Sequence, residues 1–190
     1  MASKILTIPN LLTFLRMALI PVFASLLYYG YSGLALIVFV VAGVSDGIDG
    51  FVARRFKQES ELGRILDPIA DKLLMTVAFV ILTLPNIFPP PGKSVPFWVT
   101  AAVVGRDVLI LTVAWAINVM TGFRGFKPSW LGKLSTTVQV AAVTLILIAA
   151  VFGYGFYLPT VYTIVVALAF FSGVHYIFFI ARLLKEEEKS

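Results

Sequence analysis

The chain has 190 residues, of which 59% are hydrophobic and 13% charged, and its mean hydropathy is +0.96. Soluble domains average about 45–50% apolar and about 25% charged residues, so this composition excludes both an ordinary water-soluble domain and a disordered chain. Because there is no cysteine and only one histidine, disulfides, thiolate chemistry and multi-histidine metal sites are excluded as well. The net charge of +5 is typical of a membrane protein with basic cytoplasmic loops.

Six apolar stretches are each long enough for a membrane-spanning helix, which needs about 20 mostly apolar residues. In chain order they cover roughly Leu11–Tyr29, Leu34–Ala53, Leu62–Leu84, Phe97–Met120, Leu134–Phe152 and Leu158–Leu183. Glycine and proline turn signals occur between several of them. The sequence therefore predicts an all-α integral membrane protein with six transmembrane helices.

The basic residues predict the orientation of these helices. They cluster at the amino terminus, in the connections after the second and fourth stretches, and at the carboxyl terminus, whereas only Lys93 falls in a loop on the opposite side. By the positive-inside rule, both termini are expected in the cytoplasm. Arg16 interrupts the first apolar stretch, which argues against a signal peptide. The residues from Lys4 to Ile8 are expected to form a short interfacial segment before the first span.

Five of the ten acidic residues lie within or beside apolar stretches, where a charge costs roughly 2.5–3.5 kcal/mol and usually marks function. They are Asp46, Asp49, Asp67, Asp71 and Asp107. The first four form two pairs, spaced three and four residues apart, near the cytoplasmic ends of the second and third spans. These spacings place each pair on one helical face, and the two spans are consecutive, so the faces can meet.

Four carboxylates at one depth repel one another unless cations lie among them. Oxygen ligands without histidine or cysteine select hard ions such as Mg²⁺ or Mn²⁺. We expect room for two such ions, an arrangement suited to bridging phosphate oxygens during an in-line displacement.

Small residues accompany the carboxylates. Gly50 and Ala53 share the face of Asp46 and Asp49, and Gly63 lies one turn before Asp67, so a ligand or a neighbouring helix can approach the backbone closely. Arg54 can offer a planar fork to a phosphate. The alternative for the glycines is helix packing alone. For the arginine it is a positive-inside role alone.

Together these residues read Asp46-x2-Asp49-Gly50-x2-Ala53-Arg54-x8-Gly63-x3-Asp67-x3-Asp71. This pattern resembles the complete motif of the CDP-alcohol phosphotransferase family, with eight fixed positions matching in identity and spacing. The resemblance extends from about Ile8 to Gln139. It implies one membrane-embedded domain over residues 1–190 with its motif core at 46–71, and a six-helix fold.

The resemblance also implies roles for individual residues. Asp46, Asp49, Asp67 and Asp71 would bind the metals, and Asp71 would also act as general base on the acceptor hydroxyl. The implied donor is CDP-diacylglycerol, from which CMP would leave. The residues implied in donor binding are Pro9, Asn10, Leu11, Leu12, Gly50, Ala53, Arg54, Ser60 and Gly63.

The acceptor is less well defined by the sequence. An acceptor with its own phosphate favours Arg106 and Lys133 as ligands, both expected near the cytoplasmic face. The alternative is that both snorkel to lipid headgroups. The opening segment and Pro128–Lys133 resemble phosphatidylglycerophosphate synthases, which use glycerol 3-phosphate. Those enzymes usually carry Arg-Glu where this chain has Arg106-Asp107, and Arg-Asp is more like the family's cardiolipin synthases, which use phosphatidylglycerol. We favour glycerol 3-phosphate and keep phosphatidylglycerol, inositol phosphate and other alcohols as alternatives.

Two other classes of function make different predictions for the carboxylates. An ion-coupled transporter predicts carboxylates near the bilayer midplane, whereas here they crowd towards one face. A purely structural subunit would tolerate Asp71→Asn. Nucleic acid is not an expected partner, because the basic residues serve topology. We expect a multi-pass protein of the cytoplasmic membrane, with its active site facing the cytoplasm. The resemblance suggests a homodimer.

Overall fold

The computed structural model describes residues 8–56, 61–84, 94–121 and 130–187. Within these ranges the regular structure is α-helical. The helices are α1 (Ile8–Tyr28), α2 (Ser32–Phe56), α3 (Glu61–Thr83), α4 (Phe97–Thr121), α5 (Trp130–Phe152) and α6 (Leu158–Glu187). Each begins and ends within a few residues of a predicted stretch, which confirms six helices. Of the expected interfacial segment, residues 4–7 lie outside the described residues, and Ile8 already belongs to α1.

Three stretches of the described helices are long and apolar enough to cross a membrane, namely Asn10–Tyr28, Trp130–Phe152 and Leu158–Phe179. The part of α2 whose side chains the structure describes, Ser32–Ser45, is a shorter apolar stretch. Large apolar side chains such as Leu11, Ile37 and Phe178 are exposed on the helices. An apolar outer surface of this kind is what lipid requires, so the chain is consistent with a membrane protein. Six spans and cytoplasmic termini stay predictions.

The chain divides into two compact units, and the expectation of a single domain stays a prediction. The first unit comprises Met1–Val95 with Val143–Gly155. Within it α1 packs against both α2 and α3. The rings of Phe23 and Phe39 lie 5.6 Å apart between their centroids, in a core that also buries Leu27 and Phe79.

A glycine turn joins α1 to α2. Gly30 has φ 81°, a left-handed conformation that costs glycine little. The Tyr31 amide donates to the Leu26 carbonyl at 2.8 Å and the Gly30 amide to the Leu27 carbonyl at 3.0 Å, the two bonds of a Schellman motif. The last carbonyls of α1 are thereby satisfied, and α2 begins after three residues.

The second unit comprises Pro96–Ala142 with Phe156–Ser190, and in it α4 packs against α6. Its apolar core includes Val99, Val103, Val165 and Ala169. Polar side chains are buried there too, and the described ones are Thr100, Asp107, Ser135, Gln139 and Ser172. Buried polar groups inside apolar helices are costly unless they are paired, so the partners of these side chains bear on what the unit does.

Candidate active site

One of the predicted carboxylates, Asp67, makes a contact that links α1 to α3. Thr13 is fully buried, and its hydroxyl donates a hydrogen bond to Oδ1 of Asp67, which is half-buried. The two residues are 54 positions apart in sequence. The contact therefore ties a predicted metal ligand on α3 to the amino-terminal half of α1.

Thr13 belongs to a buried polar face of α1. Asn10, Thr13 and Arg16 recur every three residues and are at most 1% exposed. Leu11 and Phe14 on the same turns are 62% and 43% exposed. The helix thus turns its polar side inwards and its apolar side outwards, the reverse of a helix on the surface of a soluble protein. This arrangement is expected where lipid surrounds the helix and the polar groups serve an internal site.

Helices α1 and α3 run in the same direction. Thr13 meets Asp67 in the first half of each helix, and the last turns of α1 line one cavity of about 290 Å³ together with Ile81 of α3. Arg16 lies three residues beyond Thr13 and Asp71 lies four residues beyond Asp67, which correspond to rises of about 4.5 and 6 Å. Arg16 and Asp71 therefore lie at similar heights along the two parallel helices α1 and α3.

Asp67 and Asp71 are the two members of the predicted metal set whose side chains the structure describes. They are one turn apart on α3 and both half-buried, so the predicted sharing of one helical face is confirmed for this pair. Asp46 and Asp49 lie within α2, three residues apart, and their side chains lie outside the described residues. Among the described residues, no three acidic or histidine side chains form a metal-binding group.

The donor chemistry of this pair suits a hard divalent ion. Both groups are carboxylates, and the Thr13 bond to Oδ1 leaves the second oxygen of Asp67 available to a cation. The residues present therefore fit Mg²⁺ or Mn²⁺, with Asp67 and Asp71 as ligands and Asp46 and Asp49 as further candidates.

The structure describes few of the predicted donor-binding side chains. Asn10 is buried, Leu11 is exposed and Leu12 is half-buried, so these three do not share one environment. The side chains of the other predicted positions lie outside the described residues. Five of these positions have a described helical backbone, namely Pro9, Gly50, Ala53, Arg54 and Gly63, whereas Ser60 is not described at all.

Arg106, a predicted ligand of the acceptor phosphate, lies in the second unit within a buried polar cluster. Its Nη1 donates to Oδ1 of Asp107 at 2.7 Å, and its Nη2 donates to Oγ of Ser172 on α6 at 2.6 Å. The Arg106 and Asp107 side chains are only 8% and 7% exposed. Ser172 was not predicted. The sequence signal is slight, because a lone serine inside an apolar helix usually bonds to its own backbone.

Arg106 is expected near the cytoplasmic face, and this stays a prediction. It precedes the last residue of α4, Thr121, by fifteen positions, or about 22 Å along the axis. Thr121 adjoins the basic connection, so Arg106 is far from that end of the helix. Lys133 differs, because it is exposed and lies three residues after the start of α5. The two predicted acceptor ligands thus occupy different environments within the second unit.

Comparison with known proteins identifies the family. The family model for CDP-alcohol phosphatidyltransferase matches residues 6–178, which include helices of both units. The chain belongs to the CDP-alcohol phosphatidyltransferase family. The resemblance inferred from the aspartate motif is thereby confirmed, and the chain belongs to an enzyme family rather than to a class of transporters.

Relatives of this chain carry two different names. The CMP-forming cardiolipin synthase of Homo sapiens is 35% identical over 164 residues, covering 78% of this chain and 52% of the human protein. The chain thus spans about half the length of that relative. The corresponding enzyme of Streptomyces coelicolor is 33% identical, covering 97% of this chain and 87% of its own length.

The second name occurs in Escherichia coli. Its CDP-diacylglycerol–glycerol-3-phosphate 3-phosphatidyltransferase is 34% identical over 146 residues, covering 74% of this chain and 76% of its own length. Identities of 33–35% to both kinds of enzyme assign the family and leave the acceptor open.

Proposed function

We propose that this phosphatidyltransferase moves the phosphatidyl group of CDP-diacylglycerol onto glycerol 3-phosphate, releasing CMP. The observation that carries the proposal is the pair of half-buried carboxylates, Asp67 and Asp71, one turn apart on α3 inside a family-defining motif. The reaction would contribute to phospholipid biosynthesis in the cytoplasmic membrane, with the site on the cytoplasmic side. A homodimer is part of the proposal.

In the proposed reaction Asp71 is the general base. It accepts the proton of an acceptor hydroxyl, and the hydroxyl oxygen forms a bond to the phosphorus that carries diacylglycerol. The bond from that phosphorus to the oxygen of CMP breaks, so a phosphodiester lipid and CMP result. Asp46, Asp49, Asp67 and Asp71 would hold two Mg²⁺ or Mn²⁺ ions. When bound, these ions supply charge neutralisation at the pyrophosphate.

The donor would be held by the motif and by the start of α1. Gly50, Ala53 and Gly63 would let the cytidine diphosphate approach the backbone, and Arg54 would pair with a phosphate. Asn10 and its neighbours in α1, with Ser60, would complete the pocket. The exposed cation of Lys133 supports glycerol 3-phosphate as the acceptor, because a phosphate can reach it without displacing a partner of Arg106.

Phosphatidylglycerol is the second candidate acceptor. Its support is the Arg106–Asp107 pair, since a guanidinium already neutralised by a carboxylate has less to offer a dianionic phosphate than a free one. The cardiolipin synthase of Streptomyces coelicolor, aligned over 97% of this chain, supports it as well.

The test incubates detergent-purified protein with CDP-diacylglycerol, Mg²⁺ and one acceptor at a time, following CMP release and product mass. Release with glycerol 3-phosphate, yielding phosphatidylglycerophosphate, is expected. Release with phosphatidylglycerol alone would instead assign the cardiolipin reaction. Asp71→Asn serves as the inactive control. Folded wild-type protein that releases no CMP with any acceptor would contradict the proposal.

A further inference from the structure

Hydroxyl side chains in this protein commonly bond to their own helix. Among the described residues, many serine and threonine hydroxyls donate to the carbonyl four residues earlier. Examples, at 2.7–3.2 Å, are Ser25, Ser45, Thr83, Thr136, Thr137 and Thr163. This is the usual way for an apolar helix to satisfy a hydroxyl, and it carries no information about a site.

Thr13 differs because its hydroxyl reaches a carboxylate on another helix. The side chain is fully buried, and the bond to Asp67 crosses from α1 to α3. A threonine hydroxyl has one proton, and a bond to an ionised acceptor is about twice as strong as a neutral one. The residue is thus placed to fix the rotamer of Asp67.

The geometry of the carboxylate gives this contact a consequence for cation binding. Thr13 holds Oδ1, so the direction of the second oxygen is set before any cation arrives. Groups that orient a metal-binding carboxylate in this way typically change metal affinity or activity about 10–100-fold when they are removed. Asp71 lies one turn further along α3, and its carboxylate would also have to be oriented towards a shared cation.

We propose that Thr13 is a positioning residue that orients the Asp67 carboxylate for a divalent cation. It acts through Asp67 and is not itself a ligand or a catalytic residue. The inference rests on the proposed function in one respect, which is that a cation site exists at Asp67. It predicts the affinity for the cation and is independent of which acceptor the enzyme uses.

The experiment measures Mn²⁺ binding by electron paramagnetic resonance, titrating the metal alone into purified protein in detergent. The variants are Thr13→Val, which keeps the shape and removes the donor, and Thr13→Ser, which keeps the donor. The matched control is Thr163→Val, because that hydroxyl donates to Pro159 of its own helix at 2.9 Å. We expect an about 10–100-fold higher Kd for Thr13→Val, a change of a few-fold at most for Thr13→Ser, and no change for Thr163→Val.

A kinetic measurement separates positioning from a merely structural role. The Mg²⁺ concentration needed for half-maximal CMP release should rise in Thr13→Val, while the rate at saturating Mg²⁺ recovers most of the wild-type value. In protein that already carries Asp67→Asn, adding Thr13→Val should change Mn²⁺ binding no further. Should Thr13→Val fail to fold, Thr13→Ala offers a smaller side chain that also lacks the donor.

Three results would overturn the inference. The first is a folded Thr13→Val or Thr13→Ala protein that binds Mn²⁺ like the wild type. The second is an equal loss in Thr163→Val. The third is wild-type protein that binds no Mn²⁺. Wild-type protein that binds Mn²⁺ but releases no CMP would contradict the proposed function alone, because the Mn²⁺ titration still measures the role of Thr13.

Discussion

The Thr13–Asp67 contact and the Arg106–Asp107–Ser172 cluster both place charged groups inside apolar helices. In the second cluster Arg106 donates to Asp107 at 2.7 Å and to Ser172 at 2.6 Å, and the ion pair is more than nine-tenths buried. The buried Nε of Arg106 has no hydrogen-bond partner among the described residues. On α3, by contrast, two carboxylates lie one turn apart and both are half-buried.

This difference predicts a structural role for the Arg106–Asp107–Ser172 cluster and a reactive role for the two carboxylates on α3. The buried ion pair carries no net charge, whereas the half-buried carboxylates on α3 are partly accessible to a cation or a proton. Changes on α3 should therefore act on catalysis, and changes at Arg106–Asp107 should act mainly on stability.

The largest expected effect is that of Asp71→Asn. Loss of a general base typically lowers turnover by about 10²–10⁴-fold, and the amide is nearly isosteric, so the unfolding temperature should stay close to that of the wild type. CMP release and thermal unfolding in detergent measure the two quantities. An active Asp71→Asn protein would remove the contrast between the two clusters.

Breaking the Arg106–Asp107 ion pair should lower stability. Asp107→Leu leaves the Arg106 guanidinium buried without its carboxylate, which is expected to cost about 3–5 kcal/mol of folding free energy. The double variant Arg106→Met with Asp107→Leu should recover much of that loss, because an apolar pair of similar volume replaces the ions. Unfolding in denaturant measures both. A double variant that is as unstable as the single one would show that the ion pair does more than neutralise its own two charges.

Ser172→Ala should have a smaller effect on stability. It removes a hydrogen bond to a charged donor, worth about 1.5–3 kcal/mol, and keeps the ion pair. Catalysis with saturating substrates should change little. A large increase in the KM for the acceptor, without a change in unfolding, would instead indicate that the cluster contacts substrate.

Lys133→Gln is expected to have the smallest effect. The side chain is exposed, and exposed charge pairs are worth about 0.2–1 kcal/mol, so the KM for glycerol 3-phosphate should rise roughly two- to fivefold. Lys189→Gln, in the carboxyl-terminal tail, is the matched control. An unchanged KM would favour phosphatidylglycerol or would limit Lys133 to the headgroup region.

Much of the fold follows from local patterns in the sequence. Each of the six apolar stretches forms a helix, the structure in which a segment satisfies its own backbone hydrogen bonds. The spacing of Asp67 and Asp71 sufficed to place them on one face, since the helical period fixes that relation.

The sequence by itself determined the six helices, the family and the identity of the carboxylates, since each depends on residue type and short-range spacing. Only the tertiary structure decided that Thr13 of α1 meets Asp67, 54 residues away, and that Ser172 of α6 meets Arg106. A hydroxyl inside an apolar helix has a default partner four residues earlier on its own backbone. Whether it instead bonds to a group on another helix depends on how the two helices pack, which no local pattern specifies.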